Sequence, residues 1–366
     1  MKTVIIAGCA GFIGTNLTKH LINKGYRVIG IDDLSNGSLE FLPKVENFIF
    51  YNFSLEINEI TSEVINQICK DYEPIALYNL VGVEGNIISP FIRNFYYKQN
   101  LILSSILVNE CIKHNLKLIF ASSSSVYGEE NPPFNENILP KPNSPYSISK
   151  YASELDIINA GDFFNLKYNI LRLDRIIGLY HNINNCYNNV IFNFCKNISS
   201  GKPIQIYGDG LQTRSFLDIQ YLLDPLTLLI ENFDNEIFNI GSENYYSINK
   251  IADIFLEYCK NNQIKSEKNY LPNIKETKNI FCDISKSKSL LNFQDKTDIK
   301  KSIIEIIEWS KNQKYSIQNP INYEISKKLY QFLPPAKKSI SVNIDIEEKE
   351  YFNESSKRYR KSYGRI

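Results

Sequence analysis

A chain of 366 residues exceeds what one minimal core needs, and the length suggests one large α/β domain, or two smaller ones, with a tail. A formal net charge of +1 excludes an overall field that would draw the protein to nucleic acid or a membrane, so a polyanionic ligand must find local donors. No apolar run reaches the length of a membrane span, and seven scattered cysteines without a CxxC pair, beside three histidines, argue against a metal site or a disulfide framework.

Met1 leads directly into a strand-like segment and nothing resembles a signal peptide, so the expected setting is the cytoplasm, with reduced and buried thiols. The apolar runs Val4 to Ala7, Val28 to Ile31, Phe48 to Phe53, Ile75 to Leu80 and Leu118 to Ala121 are short enough to be buried parallel strands. Amphipathic patterns between them predict helices over Phe12 to Lys24, Leu55 to Asp71, Phe91 to His114 and Tyr146 to Asn159. That alternation predicts an α/β fold, a doubly wound parallel sheet with its ligand at the carboxyl ends of the strands.

After about Arg172 the order becomes irregular. Helices are expected over Val190 to Asn197, Ile248 to Lys260 and Asp298 to Ser310, with strands near Ile204 to Tyr207, Arg214 to Leu217 and Ile237 to Ile240. The expected division is therefore 1–172 for the sheet domain, 173–313 for a smaller C-terminal substrate-binding lobe, some of whose segments return to the sheet, and 314–366 for a charged extension.

The first strand runs into Gly8-Cys9-Ala10-Gly11-Phe12-Ile13-Gly14 before the first helix. The first glycine permits the tight turn, the second lets a pyrophosphate approach the backbone, and the third lets helix pack on strand. A second strand follows and ends in Asp32, where a carboxylate accepts hydrogen bonds from an adenosine ribose. A 2′-phosphate would meet like charge there, and no Arg follows in Asp33-Leu34-Ser35-Asn36-Gly37, which favours NAD over NADP.

The fifth strand ends in Ala121-Ser122-Ser123-Ser124-Ser125-Val126-Tyr127-Gly128, and Tyr146-Ser147-Ile148-Ser149-Lys150 then sets Tyr146 and Lys150 one helical turn apart on one face. A phenol is a poor base at its ordinary pKa of about 10. A neighbouring ammonium and a positive nicotinamide both favour phenolate. Ser123 is the candidate to hold the reacting hydroxyl, and Lys150 to bond the nicotinamide ribose.

With these motifs the chain resembles the extended short-chain dehydrogenases, the NAD-dependent epimerase/dehydratase family, from Lys2 to about Ser310. IDDLSNG, GKPIQIYGDGLQTRSF, FNIGS and DISKSKSLL add to the likeness. The resemblance implies a Rossmann-type sheet and a nucleoside diphosphate sugar as substrate. It also implies a homodimer through helices matching Phe91 to His114 and Tyr146 to Asn159. Its cofactor surface would comprise Gly8, Gly11, Phe12, Ile13, Gly14, Asp32, Asp33, Ser35, Asn36, Gly37, Asn52, Phe53, Leu80, Val81, Gly82, Asn100, Tyr146 and Lys150. The substrate would meet Ser123, Ser124, Arg175, Asn189, Gln205, Tyr207 and Arg214, with Arg214 on the diphosphate.

The family's shared opening step moves a proton from the sugar 4-hydroxyl to the phenolate and a hydride from C4 to NAD. Its 4,6-dehydratases and uronate decarboxylases carry acids just after the position of Ser123, where this chain has Ser124 and Ser125. 4-Epimerisation, with NAD tightly held, is therefore the leading reading; dehydration, decarboxylation and 4-keto reduction are the alternatives. A non-catalytic NAD-binding regulatory protein on the same fold is the alternative of another class.

The chain also departs from the family. Asn79-Leu80-Val81-Gly82-Val83-Glu84 stands where His-Leu-Ala-Ala is usual, Asn52 replaces an acid near the adenine, and Arg175 replaces an Asn at the substrate phosphate. Ser215 replaces the acid that follows the diphosphate Arg, and Lys275 and Lys278 are the weaker substitutes for an Arg upstream of Asp283. Arg175 binds a phosphate or carboxylate, or else pairs with Asp174.

Overall fold

The computed structural model describes residues 1–86, 88–183, 190–273 and 279–313. Asn189, Lys275, Lys278, Cys186 and the expected extension 314–366 lie outside the described residues. Strands β1 (Thr3–Ala7), β2 (Arg27–Asp32), β3 (Phe48–Asn52), β4 (Ala76–Asn79) and β5 (Lys117–Ser123) alternate with helices α1 (Phe12–Asn23), α2 (Asn58–Tyr72), α3 (Arg93–Tyr96), α4 (Leu103–His114) and α5 (Pro145–Phe164). Then come β6 (Tyr168–Leu173), β7 (Ile176–Ile177), α6 (Val190–Ser199), β8 (Ile204–Tyr207), β9 (Thr213–Ser215), β10 (Leu217–Asp218), α7 (Gln220–Leu228) and β11 (Glu236–Ile240). The described part closes with β12 (Tyr245–Ser247), α8 (Ile248–Asn261), β13 (Lys268–Leu271), β14 (Asn279–Ile280), α9 (Ser285–Leu290) and α10 (Ile299–Lys311).

The main sheet has the order β11-β6-β5-β4-β1-β2-β3, and every pairing in it is parallel. Period-two alternation explains why its strands are apolar throughout. Val4 and Ile6 join one core with Leu17 and Leu21 of α1 and Leu222 and Leu226 of α7. Ile5 and Ala7 join the opposite core with Ile65 and Ile68 of α2, Leu107 of α4 and Ile157 of α5. The sheet is thus a doubly wound Rossmann-type fold. Its strand order reverses between β1 and β4, which opens a crevice at their carboxyl ends. No helix among the described residues is long and apolar enough to cross a membrane.

A third core gathers Phe192 and Phe194 of α6, Ile251 and Phe255 of α8, and Ile303, Ile306 and Ile307 of α10. β11 leaves this region and pairs with β6 at the sheet edge.

Three elements differ from the sequence expectations. The helix expected over Phe91 to His114 is a 3-10 turn (Ser89–Phe91), the single turn α3, a π-helical segment (Tyr97–Ile102) and then α4. The widened segment holds Asn100, whose side chain turns inward to bond a neighbouring loop. The strand expected over Arg214 to Leu217 divides at the fully buried Phe216: β9 pairs with β12 and β14, and β10 with β7. The helix expected from Leu55 starts at Asn58, because Leu55 is buried and its carbonyl accepts from the Thr61 hydroxyl at 3.3 Å. β6 had no counterpart among the expectations. Its sequence Tyr-Asn-Ile-Leu-Arg-Leu includes two polar residues that are buried only because Asn169 reaches the Phe233 carbonyl and Arg172 reaches Glu154.

Candidate active site

Gly8 turns the chain out of β1 at φ +86°, and a Cβ there would lie 2.9 Å from the Leu80 carbonyl carbon and oxygen. A Cβ on Gly14 would lie 2.0 Å from the Gly8 carbonyl oxygen and 2.7 Å from Cys9 Cα, both backbone atoms that cannot swing away. Gly14→Ala should therefore empty the protein of cofactor and lower its melting temperature, measured as NAD content after purification and by thermal unfolding. Gly11 caps α1 without a side-chain hydrogen bond, so no capping side chain takes up the first-turn N–H groups at Phe12 and Ile13. This is a cradle open to an anion.

Asp32, at the end of β2, braces the cradle: its carboxylate accepts from Ala10 N at 2.9 Å and Leu34 N at 2.8 Å. Burial raises its pKa, and these backbone bonds oppose the rise. A carboxylate retains further acceptor sites after two such bonds, enough for ribose hydroxyls. The segment after it folds back over the glycine turn, where Ser38 N donates to the Ala10 carbonyl at 3.1 Å and Ser35 N to Asp33 at 2.9 Å. Gly37 is required by closeness, since a Cβ there would sit 2.6 Å from Ala10 Cβ. Asn182 donates to the Asn36 carbonyl and side-chain oxygens, both at 3.1 Å, tying this loop to the segment after β7. Asn52 ends β3 exposed, with the part-buried Phe53 after it.

The candidate reactive residues meet at the end of β5 and the start of α5. Ser144 starts α5 with a reciprocal capping box to Ser147, and Pro145 opens the first turn, so Tyr146 and Lys150 leave a fixed helix end. Tyr146 is hydrogen-bonded to Ser123, and burial pushes its phenol up to about 12. Lys150 is 6% exposed and donates to the Ala121 carbonyl at 2.8 Å; burial pulls its ammonium down to about 8. Beneath them Arg172 of β6 and Glu154 of α5 form a fully buried pair, Nη2 to Oε2 at 2.7 Å, which Tyr127 and Ser122 also join.

The loop after β4 lies beside Lys150. Leu80 and Val81 are part-buried, and Val81 N donates to Asn79 Oδ1 at 3.2 Å. At Gly82, with φ +138°, a Cβ would lie 2.6 Å from Asn100 Oδ1 and 3.4 Å from Lys150 Nζ. Asn100 exchanges bonds with both backbone groups of Val83, at 2.8 and 3.1 Å, and donates to Ser149 at 3.0 Å. The side chain named from the sequence as a cofactor contact is thus committed to holding the loop.

Ser124 is buried and donates to Asp174 at 3.1 Å. Asp174 also accepts from Arg175 N at 2.9 Å, Arg175 Nη1 at 3.4 Å and Ser215 at 2.5 Å. Sequence reasoning saw Asp174 only as a partner for Arg175. In the fold its carboxylate also accepts from the Ser124 and Ser215 hydroxyls. Arg175 is one-quarter exposed at the end of β6, whose Leu173 registers with Ser123. Arg214, next to Ser215, is 1% exposed and donates to the Thr213 carbonyl at 2.7 Å. Gln205 and Tyr207 point outward from the separate β8–β13 ribbon. Among the described residues, then, Ser123, Ser124, Arg175, Tyr146 and Lys150 come together, the path Ser124–Asp174–Ser215 leads to Arg214, and the Tyr207 carbonyl accepts from Gln212, two residues before Arg214, at 3.0 Å.

The profile of the NAD dependent epimerase/dehydratase family matches residues 4–241. A UDP-glucuronate 4-epimerase of Thermodesulfobacterium geofontis is 31% identical over 327 residues, 85% of this chain and 97% of that protein. The solved UDP-glucose 4-epimerase of Thermotoga maritima with UDP-glucose superposes with a TM-score of 0.77 at 28% identity, covering 84% of this chain and 98% of that one. UDP-glucuronic acid 4-epimerase from Bacillus cereus, in complex with UDP-glucuronic acid and NAD, does so with 0.74 at 26% identity, covering 84% and 98%. The side-chain-free cradle at Gly8 and Gly11, the carboxylate at Asp32 and the Tyr146–Lys150 pair fit NAD. The chain belongs to the NAD dependent epimerase/dehydratase family of enzymes, and NAD is its cofactor.

Proposed function

We propose that the protein is a nucleoside diphosphate sugar 4-epimerase that works through a transient 4-keto sugar and keeps its NAD throughout the cycle. One observation carries this reading: the turn after Ser123 presents the hydroxyls of Ser124 and Ser125 and no carboxyl group. Dehydration and decarboxylation by relatives rely on acids at that turn. The neighbouring carboxylate, Asp174, is buried and occupied by Ser124, Ser215 and Arg175. Epimerisation needs no further acid, since the keto sugar turns over and takes the hydride back. The relatives acting on UDP-glucose and UDP-glucuronic acid support a UDP-sugar as substrate.

NAD held by the Gly8 and Gly11 cradle and by Asp32 would supply the hydride acceptor and a positive charge beside the base. Tyr146 takes the 4-hydroxyl proton, Ser123 orients that hydroxyl, and Lys150 favours the phenolate. The tie between Asn36 and Asn182 supports tight retention of the cofactor. Exposed Ile102, Ile148 and Leu155 on the α4–α5 side support a homodimer by that face.

Incubation with UDP-, dTDP-, GDP- and CDP-sugars, followed by mass spectrometry and NMR, tests the outcome. Inversion at C4 with unchanged mass is expected. Loss of water or carbon dioxide would replace epimerisation by dehydration or decarboxylation.

A further inference from the structure

Glu84 stands on the loop after β4, where the chain departs from the usual family sequence. Three contacts fix its place. Val83, just before it, is clamped on both sides by Asn100. Its own carbonyl accepts from the Tyr96 hydroxyl at 2.8 Å, and the Tyr96 ring lies edge-on to Tyr146 with centroids 6.1 Å apart. Two residues earlier, Gly82 lies against the Lys150 ammonium. The side chain is half-exposed, and its carboxylate is 3.6 Å from Nε2 of His181, a buried ring stacked on Phe192 and packed against Phe12 at the start of α1. A carboxylate is thus held at the rim of the cleft, between the Tyr146–Lys150 pair and the start of α1.

We infer that Glu84 sets the redox balance of the site: its carboxylate favours the oxidised, cationic cofactor over the reduced, neutral one and so opposes the Lys150 ammonium. The sugar C4–H bond breaks with its electron pair leaving as hydride to NAD, the hydroxyl proton goes to Tyr146, and C4–O becomes a carbonyl; the return step reverses each transfer. The oxidised nicotinamide carries one positive charge that reduction removes. Through that ring charge, an ammonium nearby favours the reduced cofactor and a carboxylate nearby favours the oxidised one. With both charges present neither form of the cofactor is strongly favoured, which suits a reaction that must return what it takes. The charge reaches the reacting pair: burial is the main influence on Tyr146 and Lys150, and Glu84 raises both. Among the described residues, the other charged or titratable groups facing it are His181 from the segment after β7, Tyr96 of α3 and, through Lys150, Glu154 of α5.

This role rests on the hydride chemistry proposed above but on no particular product, and cofactor binding without sugar tests it separately. NAD and NADH affinities are to be measured by calorimetry on wild type, Glu84→Gln and Glu84→Asp. In Glu84→Gln the affinity ratio should move about fivefold toward NADH, the size expected of one half-screened charge, and Glu84→Asp should restore most of it. If Glu84→Gln does not fold, Glu84→Ala is read instead, because the Tyr96 contact is to backbone. A ratio unchanged within about twofold in a folded variant overturns the inference and leaves the epimerase reading intact. A product other than the C4 epimer overturns that reading and leaves this one.

Discussion

Replacing Tyr146 by Phe is expected to lower kcat by about 10²–10⁴-fold, the usual contribution of a positioned acid–base group. The variant loses one hydroxyl contact, to Ser123, so its stability should change by no more than about 1 kcal/mol. NAD should remain bound. The pH dependence carries the same assignment. Burial holds the phenol protonated up to about 12 in the protein alone, and the Ser123 bond opposes that rise. A positive cofactor bound beside it would lower it further in the working complex. Because the base acts only when deprotonated, kcat/KM should fall about tenfold per unit as pH drops below the phenol's value in the complex. Stopped assays of the sugar product across pH check both. A Phe variant turning over at wild-type rate would remove Tyr146 from the chemistry.

Glu154→Ala should destabilise the protein by about 3–5 kcal/mol, since it leaves the Arg172 guanidinium buried without its counter-charge. Both side chains are almost wholly buried, 3% and 0% exposed, so water cannot substitute for the lost carboxylate. The double change Arg172→Met with Glu154→Leu should recover most of the loss, because it removes both charges at once. Urea unfolding midpoints separate the cases. A double variant no more stable than the single one would show that the pair gives more than mutual neutralisation. Glu154 also raises Lys150 one turn earlier on α5, so Glu154→Ala should weaken catalysis as well as stability.

Much of the site was legible because its residues are close in sequence. The glycine turn needs only a strand, a tight turn and a helix start within a few residues, and Tyr146 and Lys150 share a face by helical spacing alone. The buried strands were legible because both their faces meet cores, which demands unbroken apolar runs. β6 was not, because Asn169 and Arg172 read as surface residues until Phe233 and Glu154 are brought to them. Asn100 was not legible as the clamp on Val83, and it lies in a π-helical widening of the helix expected around it.

The sequence alone thus determined the sheet, the cofactor and the placing of Tyr146 and Lys150 on one helical face, since each follows from local spacing and from the periodicity of burial. Tertiary structure alone decided what surrounds them. Asp174 meets Ser124 across fifty residues of chain and Ser215 across forty-one, and Glu84 meets His181 only where the loop after β4 faces the segment after β7. Such contacts leave no periodic trace, because a hydrogen bond or an ion pair between distant segments constrains two side chains and nothing between them.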